Sequence, residues 1–74
     1  MEVVLITRQG CHLCDDALGA LRAVGVDPEL RDVDADEELF GLYDWRVPVV
    51  LIDGRVVAEG RIDQEALRKA LLLA

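Results

Sequence analysis

Val3-Val4-Leu5-Ile6-Thr7-Arg8-Gln9-Gly10-Cys11-His12-Leu13-Cys14 is the stretch on which the reading of this chain turns. Val3–Ile6 is an unbroken β-branched and aliphatic run, the pattern of a strand buried on both faces of a sheet. Thr7-Arg8-Gln9-Gly10 interrupts it, and a helical stripe begins directly afterwards. Leu13, Ala17, Leu18, Leu21 and Val24 fall on one face, with Asp15, Asp16 and Arg22 off it. Gly25 stands where such a helix ends, with Pro28 shortly beyond. The two cysteines therefore sit at a strand-to-helix junction, with Cys11 at or just before the first helical turn.

Outward from this unit the signals come in quick succession. Glu29–Val33 reads as a strand, mainly from its place between two helices. Asp34 and Asp36 are both possible N-caps, and Asp34 with Glu37 has capping-box spacing. The short helix that follows is expected to bury Leu39, Phe40 and Tyr43. Val47–Ile52 and Arg55–Glu59 read as strands joined by Asp53-Gly54, a strong two-residue hairpin signal. Asp63 caps a last helix expected to bury Ala66, Leu67, Ala70 and Leu71. The order β-α-β-α-β-β-α makes the first two strands parallel and the last two an antiparallel hairpin. The fold class is α/β, with one mixed four-stranded sheet, three helices and a single domain over residues 1–74.

Composition limits what such a domain does. A chain of 74 residues, 53% hydrophobic, can build one core. A core of this size supplies only ~3–5 kcal/mol. A Cys11–Cys14 bridge closes too small a loop to add much, so it suits chemistry better than architecture. A net charge of −7 argues against nucleic acid, which calls for basic patches. No run approaches the ~20 apolar residues of a membrane span. Met1-Glu2 and the short run after it do not make a signal peptide. The expectation is a cytoplasmic monomer, and in that compartment a C-x-x-C is catalytic, redox-sensing or metal-binding.

The motif's place narrows the chemistry. Unpaired amides and the helix dipole favour an anion at a helix start, which brings a thiol toward its reactive thiolate form. Cys11 is thus the expected nucleophile and Cys14, inside the helix, the resolving thiol. A protonated His12 would favour the thiolate further, whereas Asp15 and Asp16 oppose it. His12 is equally readable as a solvated residue. A closed zinc site wants four ligands, and this chain offers two cysteines and one histidine. No resident metal or tightly bound cofactor is expected, although a zinc or iron–sulfur centre shared between chains stays open. So does a non-catalytic adaptor. Pro48 cannot donate to a ladder, which puts it at the start or edge of its strand.

Taken in order, these segments resemble the glutaredoxins, and most closely the small bacterial glutaredoxin-like proteins of the thioredoxin superfamily. Thr7–Cys14 looks like the family's strand end and C-x-x-C, and Asp32-Val33-Asp34 like the end of its second strand. Trp45-Arg46-Val47-Pro48 is similar to the segment carrying its cis-proline, and Gly60-Arg61-Ile62-Asp63 to the approach to its last helix. Thioredoxin proper fits less well, with Gly10 in place of its tryptophan and Leu5 in place of its buried carboxylate.

The resemblance implies a thiol–disulfide oxidoreductase acting on protein or glutathione disulfides, with glutathione as a co-substrate. It implies that Pro48 is cis and faces the dithiol, and that the Val47 backbone binds an extended thiol substrate. Arg8, in the place of a family lysine, would meet a substrate carboxylate or favour the Cys11 thiolate. Gly60 and Asp63 would flank the γ-glutamyl end of glutathione, and His12, between the cysteines, is a further candidate substrate-binding residue. Apart from the resemblance, Arg8, Arg46 and Arg61 fall in loops expected to converge on the site, where they read either as a positive mouth on an acidic body or as ordinary solvated surface residues. Two departures stand out. Leu13 replaces an aromatic residue before the second cysteine, and Glu59-Gly60 replaces a double glycine.

Overall fold

The computed structural model describes residues 1–73. Its elements are β1 (Val3–Thr7), α1 (His12–Ala23), β2 (Glu29–Asp32), a 3-10 turn (Val33–Ala35), α2 (Glu37–Tyr43), β3 (Val49–Ile52), β4 (Arg55–Glu59) and α3 (Gln64–Leu73). The strands form one sheet in the order β2-β1-β3-β4. β1 pairs with β2 in parallel, and with β3 antiparallel; β3 and β4 form the antiparallel hairpin. The expected α/β fold, a mixed four-stranded sheet with three helices, is therefore present.

β1 lies at the centre and is buried on both faces, as its continuous apolar run requires. Leu5 points to one side, where it packs with Ala17, Ala20 and Leu21 of α1, Val50 of β3 and Leu67 of α3. Val4 and Ile6 point to the other, against Val33 and Val49, with Leu39 and Tyr43 of α2 half-buried above them. Leu5, Leu21 and Leu67 have no exposed surface. Each such side chain contributes ~1.5–3 kcal/mol relative to an exposed one.

Local chemistry sets the ends of the elements. α1 stops at Gly25, whose φ of 85° suits a residue without a Cβ. The Gly25 N–H donates to the Arg22 carbonyl at 3.0 Å and the Val26 N–H to the Leu21 carbonyl at 3.0 Å. That paired arrangement is a Schellman cap, and it turns Val26 back onto the core. Asp53 and Gly54 have φ of 50° and 83°, both positive as a tight I′-type hairpin turn needs.

Several boundaries and burials differ from the sequence expectation. β3 begins at Val49, because Pro48 has no N–H to give the ladder. β2 ends at Asp32 and Val33 enters the 3-10 turn, where its side chain is buried. Asp36, not Asp34, caps α2, accepting from the Glu38 and Leu39 amides. Leu13 and Phe40 are exposed, at 37% and 46%. Cys14 takes the core-facing position of the first turn instead. Ala66 is also exposed, which leaves Leu67 as the buried residue of α3.

Candidate active site

The strand registers bring the loops of interest to one end of the sheet. Thr7 is opposite Asp32, Ile6 opposite Val49, and Val49 opposite Glu59. The segments 8–11, 33–36, 44–48 and 60–63 all leave the sheet at that edge, and the dithiol stands among them.

Cys11 is the N-cap of α1, with extended backbone at φ −87° and ψ 109°. Its amide donates to the Arg8 carbonyl at 3.1 Å, which closes the loop after β1. The Cys14 N–H points at Cys11 Sγ, 3.1 Å away. The two cysteines are joined as a disulfide with their Cα atoms 5.2 Å apart. Cys11 is half-buried, whereas Cys14 is only 2% exposed. One sulfur is thus reachable and faces a backbone donor; the other is shielded. Behind them lies a cleft of about 320 Å³ between Thr7, Cys14, Leu18 and Leu30. A larger hollow, of about 510 Å³, sits at the opposite end of the sheet beside Asp53 and Arg55, away from the cysteines.

The Val47–Pro48 bond is cis, as the resemblance implies, and Pro48 is fully buried. The Pro48 carbonyl accepts from the Gly60 N–H at 2.8 Å, and Gly60 has the positive φ, 71°, that this turn requires. Val47 and Gly60 therefore lie together at the start of β3 and the end of β4.

Arg8 has a different set of partners from the one expected. Nε and Nη2 donate to the two oxygens of Asp34, both at 2.9 Å. Nη1 donates to the Asp44 carbonyl at 3.0 Å, and Nη2 also reaches the Asp44 carboxylate. A guanidinium held in a fork by two aspartates does not stand open to a substrate carboxylate. It ties the loop carrying Cys11 to the turn after β2 and to the end of α2. These hydrogen bonds hold Arg8 more firmly in its charged form and keep the Asp34 carboxyl below the usual carboxylate range.

A carboxyl depressed in the folded state stabilises the fold above its unfolded pKa, and that stabilisation disappears as pH falls through the lower folded value. Melting temperature measured stepwise from neutral to acid should therefore fall more steeply for the wild type than for Asp34→Asn. Parallel profiles would show that the Arg8–Asp34 pair has no part in acid stability.

Of the other two arginines expected at this end, Arg61 is exposed on the loop before α3, and Arg46 is paired. Arg46 pairs with Glu59 through Nε at 2.8 Å and Nη2 at 2.6 Å, and lies 5.2 Å from the Tyr43 ring centre. The Glu59 carboxylate is thereby matched by a cation from the facing loop. His12 is exposed, with Nε2 3.6 Å from Asp16 one helical turn on. Asp63 caps α3, accepting from the Ala66 amide at 2.7 Å. The expected three-arginine mouth is reduced to Arg61, which is exposed, since Arg8 and Arg46 are both neutralised locally. Sequence reasoning singled out neither Asp34 as an Arg8 partner nor Asp44, because both lie far along the chain. Among the described residues, no group of three or more His, Cys, Asp or Glu is placed to hold a metal ion.

Residues 2–72 match the family model described as Glutaredoxin-like domain (DUF836). The chain belongs to this family. Among solved structures, the glutaredoxin-like domain is similar to the structural-genomics target protein XcR50 from X. campestris. Identity is 35%, coverage 97% of both chains and TM-score 0.87. It is also similar to the thioredoxin-like protein BC3987, at 31% identity over 93% of this chain and 99% of that one, with TM-score 0.72. The glutaredoxin from Archaeoglobus fulgidus gives 25% identity over 95% and 85% of the two chains, with TM-score 0.70. No curated protein matches this glutaredoxin-like domain.

Proposed function

We propose that this glutaredoxin-like domain is a thiol–disulfide oxidoreductase that carries electron pairs between thiols in cytoplasmic redox homeostasis. The observation that carries the reading is the asymmetry of the dithiol. Cys11 is reachable, caps a helix and faces the Cys14 amide, while Cys14 is shielded behind it. A helix N-terminus favours the anionic form of the sulfur that must attack.

In the reducing direction, the Cys11 thiolate attacks one sulfur of a protein or glutathione disulfide. A bond from Cys11 to that sulfur forms, the substrate S–S bond breaks, and the released thiolate takes a proton from water. Cys14 then gives up its proton and attacks Cys11 Sγ. The Cys11–Cys14 bond closes and the second substrate thiolate leaves and is protonated. Two electrons and two protons pass from the dithiol to the substrate. An external thiol or dithiol reductant restores the cysteines. The Val47–Pro48 segment, beside the dithiol loop, supplies backbone for an extended substrate, with His12 and Gly60 at its margins.

The test is a single-turnover reaction with a small neutral disulfide. Reduced protein mixed with bis(2-hydroxyethyl) disulfide should consume one disulfide per chain and form the Cys11–Cys14 bond, read by mass spectrometry. Stoichiometric zinc or iron in protein purified under reducing conditions, with no disulfide consumed, would transfer the assignment to a metal-binding module.

A further inference from the structure

We infer that the site selects cysteines in cationic or neutral polypeptide segments bearing an apolar neighbour, and discriminates against glutathione disulfide. This rests on the thiol-exchange reading and concerns only which disulfide the dithiol accepts.

The first observation is where the cations are. Glutathione carries two carboxylates and one ammonium group, so its disulfide is a dianion. Binding it calls for cations not already matched by the protein. Arg8 is forked onto Asp34 and also held by Asp44. Arg46 is held by Glu59. Arg8 and Arg46 are thus paired with carboxylates of neighbouring segments, which leaves Arg61 as the exposed arginine of the three. Redirecting either of the paired two toward a ligand would expose a carboxylate beside it.

The second observation is the remaining charge. Asp15 and Asp16 follow Cys14 in the first turns of α1, and among the described residues the cation paired with either of them is His12. Arg61, exposed on the loop before α3, is outnumbered at the edge that presents Cys11 by Asp15, Asp16 and Asp32, so that edge is acidic on balance, on a chain whose net charge is −7. Such a field repels a dianion and attracts a cation.

The third observation is apolar surface at the same place. Leu13, between the cysteines, is 37% exposed, and Trp45, three residues before Pro48, is 86% exposed. The hydrogen bond from Arg8 Nη1 to the Asp44 carbonyl fixes the peptide leading into Trp45 to the loop that carries Cys11. A large indole held in water on a loop tied to the one that carries Cys11 gives an apolar side chain of an extended substrate a place to lie.

The test uses three disulfides of different charge with the reduced protein: cystamine, bis(2-hydroxyethyl) disulfide and glutathione disulfide. Each rate is divided by that of the same disulfide with free mercaptoethanol, which removes intrinsic reactivity. At low salt the normalised rates should fall from cation to neutral to anion, by about tenfold across the series. They should converge above ~0.1 M salt, where screening falls to ~10 Å. Glu59→Gln, which releases Arg46, should raise the glutathione disulfide rate relative to the neutral one. Peptide disulfides with leucine beside cysteine should react about fivefold faster than glycine counterparts, as partial burial of one leucine implies. Trp45→Ala should bring that ratio toward one. Exchange with the neutral disulfide together with equal or faster exchange with glutathione disulfide overturns this inference alone. No exchange with any disulfide overturns the thiol-exchange reading and the inference with it.

Discussion

Cys11→Ser is expected to abolish disulfide exchange while leaving the fold as stable as the reduced wild type. The separation of the two effects follows from the position of Cys11. Serine is among the best N-cap residues, so the hydroxyl keeps the bond from the residue 14 amide that Sγ now accepts. A hydroxyl is not ionised at neutral pH and does not attack a disulfide, so turnover should fall to the uncatalysed rate. Cys14→Ala is the complementary change. It retains the attacking thiol, and alanine suits the helix interior. That variant should stop after the first step, with one substrate sulfur covalently bound to Cys11 and visible as added mass. Activity surviving in Cys11→Ser, or capture on Cys14 in that variant, would reverse the assigned roles.

Leu67→Ala is expected to have the largest effect on stability. Leu67 has no exposed surface and joins α3 to Leu5, Leu21 and Val50. Truncating a buried leucine costs ~2–5 kcal/mol. The whole fold has only ~3–5 kcal/mol in hand if it behaves as other domains of this size. A substantial unfolded fraction at room temperature follows, or a melting temperature lower by roughly 4–8 °C per kcal/mol. Leu72, five residues on and 85% exposed, is the internal comparison. Leu72→Ala should stay within ~0.5 kcal/mol of the wild type. Equal effects in thermal or urea melts would show that α3 is not held through Leu67.

The elements were legible in the sequence because their signals are local. A β-branched run, a glycine at a helix end and an Asp-Gly turn each act over a few residues, and Asp63 caps the helix it was assigned to. The C-x-x-C and the Val47–Pro48 segment were likewise readable from order alone. The pairing of charges was not. Arg8 meets Asp34 and Asp44 across 26 and 36 residues, and Arg46 meets Glu59 across 13. No periodicity encodes such contacts, so arginines in three loops read as an open positive cluster. Burial failed for a related reason. Spacing places Leu13 and Phe40 on faces of their helices, but the neighbours that cover those faces come from elsewhere in the chain. In α2, two aspartates two residues apart competed for one cap. The 3-10 turn over Val33–Ala35 decided for Asp36.

The cap formed by Cys11 closes a thermodynamic square. Its corners are the folded and unfolded chains, each with the dithiol open or bonded. Because the sulfur that exchanges partners is also the group that completes the helix, opening the bond changes how well α1 is terminated. The difference in unfolding free energy between the two folded forms must equal the difference in redox free energy between folded and unfolded chains. Each ~1.4 kcal/mol of that difference moves the two-electron couple by about 30 mV. The first turn of α1 is therefore both a piece of architecture and the setting of the electron affinity. Substitutions at its other amides will tune one through the other.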